Sequence, residues 1–255
     1  LGPVVWKLMV SDLGSPVRTK DASKIYLVGQ LGKYIPGSVW AFLVQMELAK
    51  QVGVTRARSF TASLLAAGIG VVASLIVGIL ALPALATSNK DLLWLFVLLP
   101  VGLVFLHPKP LTWLVSRVLR LLRRPPLPHP LSGAAIAKAT TVGVLLYAFE
   151  GIHIWLLVNS LGSPKFTGLL ICVGTIGLAM TAGLLAFFLP SGLGARELVI
   201  VAGLVGILPY GQALALAVVS RLMFTIADVA SAGAAALVAS LSKRRTALGV
   251  ATDTE

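Results

Sequence analysis

The chain has 255 residues, of which 57% are hydrophobic and only 12% are charged, and it carries a formal net charge of +12. A soluble globular domain has about 25% charged residues, so this composition excludes an ordinary soluble protein and indicates a polytopic membrane protein. The basic residues lie in short loops between apolar runs without interleaved aromatic residues, which argues against a nucleic-acid partner.

Five apolar runs are candidates for crossing a bilayer. Residues 59–89 and 166–195 contain no charged residue, and residues 92–108 reach the lower limit of about 17 residues for a spanning helix. Residues 133–161 and 212–241 are also expected to span, although they carry a few ionisable groups.

The chain opens without a signal peptide. Residues 4–10 resemble the end of a spanning helix whose beginning is absent, so we expect the natural protein to extend upstream.

The positions of the basic residues predict the membrane topology. Lysine and arginine concentrate in four places, at residues 18–24, 50–58, 109–124 and 243–245. The positive-inside rule assigns all four to the cytoplasmic face, and it assigns the loops around Lys90 and Lys165 to the outer face. These assignments predict a multi-pass protein of the cytoplasmic (inner) membrane with a cytoplasmic C-terminus.

Two apolar segments are interrupted in nearly the same way, by Tyr34-Ile35-Pro36-Gly37-Ser38 and by Phe188-Leu189-Pro190-Ser191-Gly192. Such breaks free backbone amides, and they survive at membrane depth only inside protein or beside a polar cavity. Matching breaks in two halves of a chain indicate a transporter-type site near the midplane of the membrane.

The topology requires each interrupted segment to return to its starting face. Residues 24–51 are predicted to form a re-entrant hairpin from the cytoplasmic side, and residues 166–208 one from the outer side. The alternative is a plain span at 166–188 followed by a buried surface helix at 193–208, which would leave residues 243–245 outside.

The predicted fold class is an all-α polytopic membrane protein with two inverted-topology halves, each containing a broken re-entrant helical hairpin. The first half covers residues 1–108 and the second covers 133–245. Residues 109–132 are predicted to form a cytoplasmic interfacial helix and a proline-rich linker. Residues 246–255 form a cytoplasmic tail.

The breaks also indicate where a ligand would bind. New short helices are expected to begin near Ser38 and Gly194, and the unpaired amides at a helix N-terminus attract anions. Glycine lets a lipid headgroup approach the backbone. The predicted binding residues at the breaks are Pro36, Gly37, Pro190, Ser191, Gly192 and Gly194. The alternative is that these glycines only allow tight turns and helix packing.

Charged residues beside the breaks extend this candidate site, because a charge in hydrocarbon is costly and is usually functional. Arg196 and Arg221 are expected to converge on one phosphate, with Glu197 orienting them. The alternative is a structural ion pair between Arg221 and Glu197, and the two interpretations are compatible. Lys33 is a further candidate headgroup ligand. The alternative is that its side chain extends to the membrane interface and keeps its charge in water.

Asp228 and Glu150 are candidate sites for a coupling ion. Asp228 lies seven residues after Arg221 and therefore on the same helix face, and a hydrogen-bonded structural role is the alternative. Glu150 and His153 are three residues apart, but without a second such pair we favour a polar pair over a metal site. The lone Cys172 is expected to be a small buried hydrophobic residue.

Catalytic and nucleotide-binding motifs are missing from the sequence, so we predict a protein that is not an enzyme and that needs no cofactor or metal. Any transport would then be passive or coupled to an ion gradient.

Several of these residues resemble one known family. They are Gly32, Pro36-Gly37, the helix at 43–53, the run from Pro190 to Glu197, Gly206 and Arg221. The pattern is similar to the flippase-like family that includes the membrane half of lysyl-phosphatidylglycerol synthases. The resemblance implies translocation of a lipid, either an aminoacylated phospholipid or a polyprenyl-linked sugar, in a bacterial or archaeal inner membrane.

The chain departs from this family pattern in the first hairpin. Val39, Trp40 and Ala41 stand where the family often has Gly-Glu, which leaves Glu47 as a weak acidic substitute, and Ser191 replaces a usual glycine. The synthases also carry a large soluble catalytic domain after the last span. A natural end at Glu255 would favour a translocase over a synthase.

The preferred hypothesis is therefore a translocase for an anionic lipid, either a phospholipid or a polyprenyl-phosphate-linked one. The first alternative is the membrane half of a lipid-modifying synthase, with a soluble transferase partner or domain. The second is a membrane scaffold, which would have Arg196 and Arg221 fully neutralised by Glu197 and Asp228, with no cavity beside them. The oligomeric state is not predicted.

Overall fold

The computed structural model describes residues 1–37, 39–88, 90–121, 130–162 and 165–252, and within these ranges every regular element is a helix. Ser38, the proline-rich part of the predicted linker at 122–129, and residues 253–255 of the predicted tail lie outside the described residues.

The helices before the linker are α1 Gly2–Asp12, α2 Thr19–Gln30, α3 Val39–Lys50, α4 Arg56–Gly78, α5 Leu82–Ser88, α6 Leu98–Leu106 and α7 Pro108–Leu121. The helices after it are α8 Gly133–Asn159, α9 Phe166–Leu185, α10 Ala195–Leu204 and α11 Tyr210–Thr252. Short 3₁₀ turns occur at Leu31–Tyr34, Ile79–Ala81, Lys90–Val97 and Pro190–Gly192.

Four segments of the described chain are long and apolar enough to cross a membrane, which makes this a multi-pass membrane protein. They are Arg56–Ala86, Gly133–Asn159, Phe166–Leu185 and Tyr210–Ser242. A fifth crossing is counted if Leu93–Leu106 and Pro108–Arg117, which are bent by 90° at their junction, form one broken span.

The helices on either side of the first break are too short to span. We call residues 31–37, which lie between these helices, the first break. Helices α2 and α3 have 12 residues each, or about 18 Å at 1.5 Å per residue, against a hydrocarbon core of about 30 Å. They pack against each other, and the contact is close because a Cβ on Gly29 of α2 would clash with the Gln45 side chain of α3.

The second break, residues 186–194, contains three residues with a positive φ angle. Ser191, Gly192 and Gly194 have φ angles of 51°, 64° and 88°, and only glycine adopts such values without strain. Gly192 is also packed tightly, since a Cβ there would lie 2.4 Å from the Gly183 Cα. Helix α9 has 20 residues and is long enough to span alone, so the re-entrant path of 166–208 stays a prediction.

Two apolar clusters hold the bundle together along α4 and α8. One joins α1, α2, the end of α3 and α7 to the first halves of α4 and α8. The other joins the end of α4, α5, α9, α10 and the start of α11 to the second half of α8. Helix α7 buries Leu111, Val115 and Leu119 at four-residue spacing while Trp113 stays exposed, as expected for an amphipathic helix.

Candidate functional site

The two breaks contact each other. The 3₁₀ turn Leu31–Tyr34 of the first break contacts the turn Pro190–Gly192 within the second, and α11 also contacts the first of these turns. Helix α11 carries Arg221 and Asp228 two turns apart, and each of them binds one break. Three segments that are distant in the sequence therefore share one polar region.

Arg221 ties α11 to the second break. Its Nη1 donates to Glu197 Oε1 at 2.6 Å, and its Nη2 donates to the Pro190 carbonyl oxygen at 3.3 Å. The other oxygen of Glu197 accepts from the Gly194 amide at 2.6 Å, so the first turn of α10 is capped by its own acidic residue. The structural ion pair foreseen between Arg221 and Glu197 is thus present.

Asp228 ties α11 to the first break. Its Oδ2 lies 2.7 Å from Lys33 Nζ and accepts a hydrogen bond from the Tyr34 hydroxyl at 2.6 Å. The Lys33 and Asp228 side chains are 29% and 22% exposed. Lys33 therefore pairs with an acidic residue of the protein, and the hydrogen bond expected for a structural Asp228 is present, while ion binding by Asp228 stays a prediction.

Arg196 is the buried charge of this region. The residue is only 7% exposed, and its guanidinium carbon lies 4.3 Å from the centre of the Phe224 ring. Its Nε and Nη2 have no hydrogen-bond partner among the described residues. Gly183 on α9 packs beside it, because a Cβ on Gly183 would lie at van der Waals distance, 3.7 Å, from the Arg196 Cβ.

Glu150 and His153 approach Arg196 from α8. The His153 ring packs edge-on against Phe224 with 5.3 Å between centroids, so Phe224 lies between His153 and Arg196. Glu150 Oε2 and His153 Nε2 are buried and have no hydrogen-bond partner in the described chain. Glu150 also interacts electrostatically with Arg196. We call Arg196, Phe224, His153 and Glu150 the Arg196 site.

Three backbone amides of the second break donate within the protein. Gly192 donates to the Leu189 carbonyl and Leu193 to the Pro190 carbonyl, both at 3.1 Å, while Gly194 donates to Glu197. In this conformation, turn hydrogen bonds and the Glu197 cap satisfy these three amides. Headgroup binding by the amides at the start of α10 stays a prediction, and the unpartnered side-chain nitrogens of Arg196 belong to the same helical turn.

Two aromatic residues were not foreseen as parts of the site. Tyr34 belongs to the interrupted motif, and Phe224 lies three residues after Arg221 on the same helix face. These positions were the available signals.

Glu47, the weak acidic substitute of the first half, is paired with Arg56 through a 2.5 Å contact. The Arg56 guanidinium holds the pKa of this exposed carboxyl below its usual range.

No metal site accompanies these groups, since the described residues contain no cluster of three His, Cys, Asp or Glu side chains that could hold a metal ion. Cys172 is free and buried in α9, in the environment expected for a small hydrophobic residue.

These features define a helical, multi-pass membrane protein with a charged site buried among its spans. The chain belongs to the family of the lysylphosphatidylglycerol synthase transmembrane region, whose sequence profile matches residues 1–232. This membership confirms the resemblance found in the sequence and connects the protein with membrane lipids. Comparison with curated proteins and with solved structures gives no match.

Proposed function

We propose that the protein translocates a lipid with an anionic, phosphate-bearing headgroup, and that Arg196 binds the phosphate. The observation that carries this proposal is the buried guanidinium with two unpartnered nitrogens. Glu150 interacts with this guanidinium only at a distance, and a buried charged donor without a hydrogen-bond partner costs about 1–3 kcal/mol or more, out of the roughly 5–15 kcal/mol that stabilises a typical domain. A bound anion would offset that cost.

Guanidinium suits this ligand because its planar set of donors matches phosphate oxygens in a bidentate manner. Phe224 covers one face of the Arg196 side chain and leaves the edge nitrogens for a ligand. Arg221 is already engaged by Glu197 and the Pro190 carbonyl, so it serves to hold the second break in place while Arg196 meets the headgroup.

The transport path would follow two inverted halves whose re-entrant hairpins meet at the Arg196 site. Contact between the turns at Leu31–Tyr34 and Pro190–Gly192 supports this arrangement, as do the short helices α2 and α3 on either side of the first break. Movement of one hairpin against the other would expose the headgroup first to one face and then to the other. We place the protein in the cytoplasmic membrane with a cytoplasmic C-terminus.

The membrane region of a lipid-modifying synthase is the second candidate function, and family membership favours it. In that case the Arg196 site would present the lipid to a soluble transferase partner or domain on the cytoplasmic side. A scaffold is less well supported, because it required Arg196 to be neutralised by Glu197 or Asp228. Those two carboxylates instead pair with Arg221 and with Lys33.

A reconstituted flipping assay tests the proposal. The whole chain is placed in vesicles with fluorescent phosphatidylglycerol or a fluorescent polyprenyl phosphate, and the rate at which the label changes leaflet is measured. Arg196→Ala should reduce the protein-dependent rate to that of empty vesicles. Arg56→Ala, which removes an exposed arginine, is the matched control and should retain the rate.

Two results would contradict the proposal. One is an unchanged rate in Arg196→Ala and in Arg221→Ala when both variants reconstitute like the wild type. The other is equal flipping of a lipid without net negative charge, such as phosphatidylcholine, because a phosphate site served by one unpaired arginine favours an anionic headgroup. Binding without any movement between leaflets would favour the synthase alternative.

A further inference from the structure

Glu150 is a buried carboxyl group to which the proposed lipid site assigns no task. Its Oε2 is buried and has no hydrogen-bond partner among the described residues. A carboxylate in hydrocarbon is costly unless it is paired, and such a residue often binds a proton or an ion. The groups that surround it indicate which of these it does.

Charged and titratable groups on four other helical elements, on α8 itself and at the N-terminus of the chain interact electrostatically with Glu150. They are Arg196 on α10, Lys33 on the first 3₁₀ turn, Asp228 on α11, Tyr26 on α2, Tyr147 on α8 and the amino group of Leu1. His153 lies three residues further along α8. Among the cations, Arg196 is the strongest electrostatic partner of Glu150. Conversely, Glu150 is the carboxylate that interacts most strongly with Arg196.

In the ligand-free site, therefore, one carboxylate balances one guanidinium without touching it. A phosphate that binds Arg196 adds a second negative charge to the same low-dielectric region. Two anions beside one buried cation are unfavourable, because Coulomb repulsion is weakly screened there. Protonation of Glu150 removes the excess charge.

We infer that Glu150 is a proton-binding site coupled to the lipid site, so that a proton enters with the headgroup phosphate and leaves with it on the other face. The inference rests on the proposed function and names the ion that accompanies the lipid. The proton binds one carboxylate oxygen of Glu150, no other bond changes, and proton and lipid move in the same direction.

Neighbouring titratable groups are less suited to this role. Asp228 has its charge compensated by Lys33 and a hydrogen bond from Tyr34, so a phosphate at Arg196 does not leave it unpaired. A proton on His153 would place a second cation beside Phe224 and Arg196. Glu150 alone combines an unpartnered carboxylate oxygen with a strong interaction with the phosphate-binding arginine.

The test counts protons during headgroup binding. Dihexanoyl phosphatidylglycerol is titrated into the detergent-solubilised whole chain by calorimetry in buffers of different ionisation enthalpy, which gives the protons taken up per lipid bound. This phosphodiester does not itself titrate near neutral pH. Wild type should take up a proton, and its affinity should rise by about tenfold for each unit of falling pH while Glu150 is ionised in the free protein.

Substitutions identify the group that takes up the proton. Glu150→Gln should bind the lipid with an affinity that does not depend on pH and without proton uptake. Glu47→Gln, which changes an exposed carboxylate outside the site, is the matched control and should retain the uptake. Asp228→Asn and His153→Gln test whether a neighbouring group takes up the proton instead. Proton uptake that persists in Glu150→Gln, or that is lost in Asp228→Asn or His153→Gln but not in Glu150→Gln, overturns the inference.

The design separates this inference from the proposed function. Binding by wild type without proton uptake overturns the role of Glu150 and leaves the lipid site intact. The proposed function itself is overturned if lipid binding does not depend on Arg196. Arg196→Gln tests this dependence, and dihexanoyl phosphatidylcholine is the zwitterionic control.

Discussion

Lys33 and Asp228 form an ion pair of 2.7 Å between the first break and the last span. Because the Tyr34 hydroxyl donates to the same carboxylate oxygen, Asp228 fixes the turn Leu31–Tyr34 to α11. At two helical turns' distance, Arg221 fixes the second break to the same helix. Helix α11 thus connects the two breaks through two separate ion pairs, and the Arg196 site lies beside them.

Loss of one partner of the Lys33 and Asp228 pair should destabilise the protein. Asp228→Asn leaves a partly buried ammonium without its counter-ion, so the melting temperature in detergent should fall. The double variant Lys33→Gln/Asp228→Asn should lose less unfolding free energy than the two single variants lose in sum. The difference, the coupling energy of the pair, should be about 1–2 kcal/mol. Strictly additive losses would show that the contact contributes nothing.

Two glycines of the second break should differ in their tolerance of a side chain. Gly192 and Gly194 both have positive φ angles, so alanine at either position is strained by about 1–3 kcal/mol. A Cβ on Gly192 also meets the Gly183 backbone at 2.4 Å, whereas one on Gly194 meets nothing within 4 Å. Gly192→Ala should therefore lower the melting temperature more than Gly194→Ala, and the reverse order would contradict this packing.

Lysine should replace Arg221 poorly even though it keeps the charge. Arg221 uses two nitrogens to reach Glu197 and the Pro190 carbonyl, and a single ammonium group does not reproduce that fork. Flipping by Arg221→Lys should lie between the rates of wild type and Arg221→Gln. Arg56→Lys, at an exposed ion pair, is the control and should match the wild type.

The proposed inverted hairpins predict a specific pattern of cysteine labelling. In a Cys172→Ala background, Arg18→Cys and Gln51→Cys flank the first hairpin and should both react with an impermeant reagent from the cytoplasmic side only. Lys165→Cys and Tyr210→Cys flank the second and should both react from the outer side only. Labelling of residues 165 and 210 from opposite faces would instead mean that 166–208 crosses the membrane.

Sequence patterns were sufficient for the helical class and the positions of the breaks. Apolar length predicted spans at 133–161 and 212–241, and proline with glycine marked both breaks, because proline removes a helical hydrogen bond and glycine adopts the positive φ angles of turns. The pair of Arg221 with Glu197 was foreseen because Glu197 follows the second break and Arg221 lies about 14 Å into the last span, near the middle of the membrane. Apolar length, helix breakers and depth in a span can all be obtained from a single sequence.

Pairings between distant segments were less accessible. Lys33 and Asp228 were assigned separately, as a headgroup ligand and an ion site, because nothing local connects the two ends of the chain. The amides after Gly192 were expected to be free, but those of Leu193 and Gly194 are used by the turn and by the Glu197 side chain. Phe224 was missed because its spacing from Arg221, the available signal, is common for aromatic residues that only fill an apolar core; its role appears once Arg196 is placed on its ring.

The central claim is that the Arg196 guanidinium binds the headgroup phosphate, and a dipolar coupling measurement by solid-state NMR tests it most directly. Arginine labelled with ¹³C at the guanidinium carbon is incorporated into the whole chain, and dephasing by the lipid ³¹P is recorded in phosphatidylglycerol bilayers. We predict a strongly dephased arginine signal, at hydrogen-bond distance from phosphorus, that is missing in Arg196→Gln. The same dephased signal in Arg196→Gln would contradict the account.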